Sequence, residues 1–107
     1  MRGRTPAGMP IGEAFTELTI AADAITVGSQ RNYTVDTALD AATGDLATIN
    51  GGSVGQIIYL RAENDARSVV VKHNTGNICL QGKTDITLDD VRDMMELVYD
   101  GTKWCDQ

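Results

Sequence analysis

Short apolar and polar alternations, cut by glycine and asparagine, run through most of the chain. The sharpest stretch is Asn50-Gly51-Gly52-Ser53-Val54-Gly55-Gln56-Ile57-Ile58-Tyr59-Leu60-Arg61. Its Asn-Gly-Gly tolerates positive φ and predicts a turn. The nearly continuous apolar run at 56–61 then predicts a strand with both faces covered. A turn at 64–66 separates it from a strand over 67–73. After a second turn at 74–77, Ile78 and Leu80 share one face of a third strand. Residues 84–88 predict a fourth, weaker one. Upstream, Thr19-Ile20-Ala21 and Ala24-Ile25-Thr26-Val27 predict two short strands across a turn at Asp23, and Tyr33-Thr34-Val35 a brief extended segment. Residues 36–48, rich in alanine and aspartate and broken by Gly44, predict an ordered loop leading into Ile49.

One stretch fits two patterns. Val91, Met94, Met95 and Val98 recur at helical spacing, and Asp89 or Asp90 would cap a helix. As a strand, the same stretch places Met95, Leu97 and Tyr99 on one face and Met94, Glu96 and Val98 on the other. The local pattern slightly favours the helix. Tyr99-Asp100-Gly101-Thr102-Lys103-Trp104 reads as strand, turn, strand. No exact internal repeat is visible. The first 12 residues hold both prolines, three glycines and two arginines, which reads as a flexible arm or docking peptide.

Composition supports the β reading. Valine, isoleucine and threonine number 28 among 107 residues, and branching at Cβ favours extended backbone. The large aromatics are only Phe15, Tyr33, Tyr59, Tyr99 and Trp104, so part of the stabilising burial is expected between chains. The fold expected is mainly β: a small antiparallel β-sandwich or barrel-like domain that trimerises. The net charge is −6. Nucleic acid or an anionic membrane would call for clustered Lys and Arg, and the Arg2, Arg4 pair is too small for that, so neither is an expected partner. No apolar run approaches membrane-spanning length, and none follows the N-terminal arginines as a signal peptide requires.

Candidate chemistry is sparse. His73 is the only histidine, and a strand-end surface position suits it better than a metal site or a Cys–His nucleophile pair. Cys79 and Cys105 have neither redox-motif nor zinc-ligand spacing. They read as free, partly buried thiols, with a disulfide open only if the two ends of the fold meet. Asp89, Asp90, Asp93 and Glu96 lack the glycine and the frame of a calcium loop and read as a solvated acidic edge. Glu63 and Asp65 lack the cleft that glycoside hydrolysis needs. Gly51, Gly52 and Gly55 have no Gly-Lys-Ser/Thr ending and serve turn geometry. Tyr33, Tyr59, Tyr99 and Trp104 would line a carbohydrate-binding face if exposed, and fill a core or subunit seam otherwise. No catalytic residue, metal or cofactor is expected, and the chain does not read as an enzyme.

Several short motifs, in order, resemble a β-rich domain of bacteriophage structural proteins: the C-terminal parts of tail or head fibres and capsid-decorating proteins. They are Ile25-Thr26-Val27, Tyr33-Thr34-Val35-Asp36-Thr37, the run from Asp45 through Gly52, Gly55-Gln56-Ile57-Ile58-Tyr59-Leu60-Arg61, Ala66-Arg67-Ser68-Val69-Val70-Val71-Lys72, Thr75-Gly76-Asn77-Ile78, and Leu97-Val98-Tyr99-Asp100-Gly101-Thr102-Lys103-Trp104. The resemblance covers about three quarters of the chain and favours strand over helix for 94–99. It implies a virion protein assembled in the bacterial cytoplasm, with residues 1–23 as arm and lead-in and 24–107 as the trimerising β domain. The expected role is a capsid decoration or head-fibre protein whose arm, through Arg2, Arg4, Met9 and Ile11, contacts the major capsid protein or another virion protein. The expected subunit interface is Ile57, Tyr59, Leu60, Val70, Tyr99 and Trp104. The alternative role is a receptor-binding module at a tail-fibre tip that recognises a host surface glycan.

Overall fold

The structure, a computed structural model, describes residues 14–106. The predicted capsid contacts Arg2, Arg4, Met9 and Ile11 lie outside the described residues. The chain is mainly β, but its strands are wound rather than layered. They form a three-turn β-solenoid, which overturns the expected antiparallel sandwich or barrel. The first turn holds β1 (Thr16–Thr19) and β2 (Ala24–Thr26). The second holds β3 (Asn32–Asp36), a short 3-10 turn (Ala38–Asp40), β4 (Thr43–Leu46) and β5 (Thr48–Asn50). The third holds β6 (Ile57–Ala62), β7 (Ser68–Val71) and β8 (Ile78–Cys79).

Successive turns stack through parallel ladders, β1 on β3 on β6, β2 on β5, and β4 on β7. The chain then comes back on itself. β9 (Ile86–Leu88) and β10 (Met94–Tyr99) run antiparallel to β7 and β6, and β11 (Trp104–Asp106) slots between β10 and β8. Hairpins and solenoid turns carry the same apolar alternation, so strand spacing alone does not separate them. The pairing partner decides: Ile25 lies beside Ile49 and Leu46 beside Val71, one turn further along the chain.

Alternation fixes what faces inward. Leu18, Val35 and Ala62 stack in one row, Tyr33, Leu60 and Met95 in another, and Leu46, Val71 and Ile86 in a third. Most of these side chains are buried in one core, which Ile58, Leu97 and Trp104 complete. The stretch with helical spacing is strand β10, with Met95 and Leu97 inward and Met94 outward. Strand wins over helix there because β6 would otherwise bury a free row of backbone donors and acceptors along its edge.

The corners need unusual backbone. Gly51 and Gly52 have φ of 86° and 94°. A Cβ on Gly51 would run into the Val27 carbonyl oxygen, and one on Gly52 would stand 2.5 Å from Trp104 Cζ2. Below β5 the third turn supplies no strand, and the side chain of Asn77 replaces one. Its Oδ1 accepts from the Ile49 N–H at 2.8 Å, and its Nδ2 donates to the Ile49 carbonyl at 2.8 Å. One amide side chain thus stands in for a peptide group of the missing ladder.

Candidate functional site

The six-stranded sheet β1-β3-β6-β10-β11-β8 presents a broad outer face. Its side chains follow from parity: in β6, Ile58, Leu60 and Ala62 point into the core, so Ile57, Tyr59 and Arg61 point out. Register then places their neighbours. Tyr59 lies between Asn32 on β3 and Glu96 on β10. Ile57 is followed across the sheet by Val98, Cys105 and Cys79. Arg61 lies between Thr34 and Met94, and its guanidinium sits 4.0 Å from the centre of the Phe15 ring. Arg61 Nη1 donates to the Val91 carbonyl at 3.4 Å. The result is a half-exposed phenol ring on a flat face, with an amide and a carboxylate on its two sides and aliphatic side chains beyond.

A charged cluster borders this face on the β1 side. Arg67 holds Asp36 with two hydrogen bonds, Nε to Oδ1 at 2.7 Å and Nη2 to Oδ2 at 3.2 Å, and the Thr37 N–H donates to Oδ1 at 2.8 Å. The Arg67 guanidinium is the main reason the Asp36 carboxyl is held below its usual range. Glu17 moves the other way. The Glu63 carboxylate pushes it up first, then burial and Asp36.

The other sequence candidates have structural duties. Tyr33 is buried. Its hydroxyl accepts from the Gly28 N–H at 2.9 Å and donates to Gln30 Oε1 at 3.2 Å. Trp104 is buried and stacks on the partly buried Tyr99, with ring centres 4.9 Å apart. Of the predicted interface residues, Leu60 and Trp104 therefore lie in this chain's own core, whereas Ile57 is 40% exposed and Tyr59, Val70 and Tyr99 are half-buried. His73 Nδ1 accepts from the Leu80 N–H at 3.0 Å. Asp90 pairs with Arg92, while a shared hydrogen bond with Asp93 raises Asp89. Among the described residues, no group of three or more His, Cys, Asp or Glu side chains is placed to hold a metal ion.

A cleft of ≈ 310 Å³ opens between the first two coil corners, beside Asp23, Thr43 and Asp45. It offers carboxylate and hydroxyl groups between alanines, without an aromatic ring among its lining residues. The sheet face around Tyr59 instead combines an aromatic ring with an amide and a carboxylate. Neighbouring residues Asn32 and Glu96 carry no sequence signal of their own and are assigned by strand register alone.

Residues 16–105 match the family model described as the phage depolymerase C-terminal beta sandwich domain. No curated protein matches the chain.

Proposed function

From the premise that the chain belongs to the phage depolymerase C-terminal beta sandwich domain family, we propose that it is a receptor-binding module of a bacteriophage, recognising a host surface polysaccharide on the outer face of the six-stranded sheet. The family match over most of the chain carries this reading, and the Asn32–Tyr59–Glu96 row supplies the contact surface. The Tyr59 ring would pack on the C–H face of a sugar, while the Asn32 amide and the Glu96 carboxylate take its hydroxyls. The assigned role is binding, with no bond made or broken. Capsid decoration stands second, because the match points to depolymerases rather than to head proteins.

The wild-type chain is expected to bind at least one polysaccharide in a panel of bacterial capsular and O-antigen preparations, and to leave its length unchanged. Tyr59→Ala should weaken that binding about tenfold, the equivalent of ~1.4 kcal/mol of lost ring contact. Full-strength binding by the variant moves the site off this face. Silence across the whole panel overturns the reading.

The homotrimer belongs to the same proposal. Three copies about one axis would bring three Tyr59 faces to one polysaccharide and raise weak single contacts to useful avidity. Light scattering at high and low protein concentration should return one mass, three times that of the chain. A concentration-independent monomer would remove avidity from the account.

A further inference from the structure

Cys79 and Cys105 are remote in sequence and adjacent in the fold. β8 and β11 run parallel, with Ile78 opposite Trp104 and Cys79 opposite Cys105. In-register residues on neighbouring strands point to the same side, with Cα atoms roughly one strand spacing apart, about 4.8 Å. A disulfide accepts Cα separations of about 4.4–6.8 Å. Ile78 and Trp104 fill the core, so the two thiols turn to the outer face, where both are partly exposed. Burial, followed by a hydrogen bond with Cys79, pushes the Cys105 thiol up to about 11, which keeps its thiolate scarce near neutral pH and makes its oxidation faster as pH rises.

We infer that Cys79 and Cys105 form an intramolecular dithiol site, which hydrogen peroxide closes to a disulfide that fastens β11 to the third turn of the solenoid. One thiolate attacks a peroxide oxygen and breaks the O–O bond, leaving a sulfenic acid and releasing water after proton transfer. The second thiolate attacks the sulfenic sulfur, forms the S–S bond and expels a second water. Two thiols lose two electrons between them, and one peroxide is reduced to two waters. The partner thiol already lies against the first, so the sulfenic acid is trapped within the chain before a second molecule arrives.

The fastened element is a consequential one. β11 carries Trp104, pairs with β10 on its other side, and leads to Asp106, whose Oδ1 accepts from the Gln81 N–H at 2.7 Å. A covalent tie here restricts the unfolded chain across the whole return segment.

The test treats the full chain with hydrogen peroxide in native buffer. The expected product has lost both titratable thiols, weighs two hydrogens less, and yields a Cys79–Cys105 linked peptide on digestion. It runs as a single chain on a non-reducing gel. Its melting temperature rises by roughly 5–15 °C, and dithiothreitol reverses the rise. Cys79→Ser, which should melt like the reduced wild type, should form no internal cross-link and show no rise. Three results would overturn the inference: wild-type thiols that survive, a single cysteine over-oxidised without a cross-link, or cross-links only between chains.

Discussion

Trp104→Ala is expected to lower the unfolding free energy by about 4 kcal/mol, measured as a shift in the urea midpoint at constant slope. Trp104 is the largest fully buried side chain, it stacks on Tyr99, and it lies against the backbone of Gly52. Truncation removes its buried apolar area and leaves a cavity between β11 and the corner at 51–52, which the tight glycine turn cannot collapse to fill. Trp104→Phe should cost far less, about 1–2 kcal/mol. The Trp104 indole N–H is buried and finds no hydrogen-bond partner among the described residues. Phenylalanine gives up part of the ring but also removes that unmet donor. An alanine variant as stable as wild type would refute the packing account. A phenylalanine variant as damaged as alanine would mean that the indole N–H makes a valuable bond.

The second large effect is expected at Asn77. Ile49 is 1% exposed, and the Asn77 side chain satisfies both its N–H and its carbonyl. Asn77→Leu leaves two buried backbone groups unpaired, at about 1–3 kcal/mol each, so a loss of roughly 2–5 kcal/mol is predicted. Asn77→Asp separates the two bonds. The new carboxylate still accepts from the Ile49 N–H, but its other oxygen faces the Ile49 carbonyl with no proton to donate. That oxygen-to-oxygen contact raises the folded-state pKa of the new carboxyl above its unfolded value. The deficit is therefore full at neutral pH and shrinks as pH falls through the raised folded value, where protonation restores a donor. Melting curves of wild type and variant at pH 7 and pH 4.5 check this. Parallel losses at both pH values would contradict the peptide-mimic role.

Many strand positions were legible from the chain, but β4 lies in the stretch read as a loop, and strand partners were not legible. The runs at 56–61 and 67–73 foretell β6 and β7 closely, because inward positions must be apolar whatever lies beside them. Nothing in that alternation says whether the next strand is a hairpin away or a full turn away. The matched family is described as a beta sandwich, and the parallel ladders of this chain depart from that word. Asn77 read only as a turn residue, since its amide has meaning only with Ile49 above it. The cysteines behaved likewise: their separation hid a contact that a parallel register creates. Among the aromatics, the local signal was partial. Tyr33 shares parity with the core residue Val35, whereas the apolar run at 56–61 suggested two covered faces, and only the structure shows that Tyr59 and Ile57 lie on the outer one.

The order of the large sheet makes its first and last strands, β1 and β11, tethers of unequal strength. Among the described residues, β1 stands at one margin and is held by β3 alone, while β11 lies between β10 and β8 and is gripped from both sides. A load on the N-terminal side works against one ladder, and a load on the C-terminal side must shear two at once. The molecule is therefore a hook with a yielding shank and a fixed barb. Under tension β1 is expected to peel from β3 before β11 leaves β10 and β8.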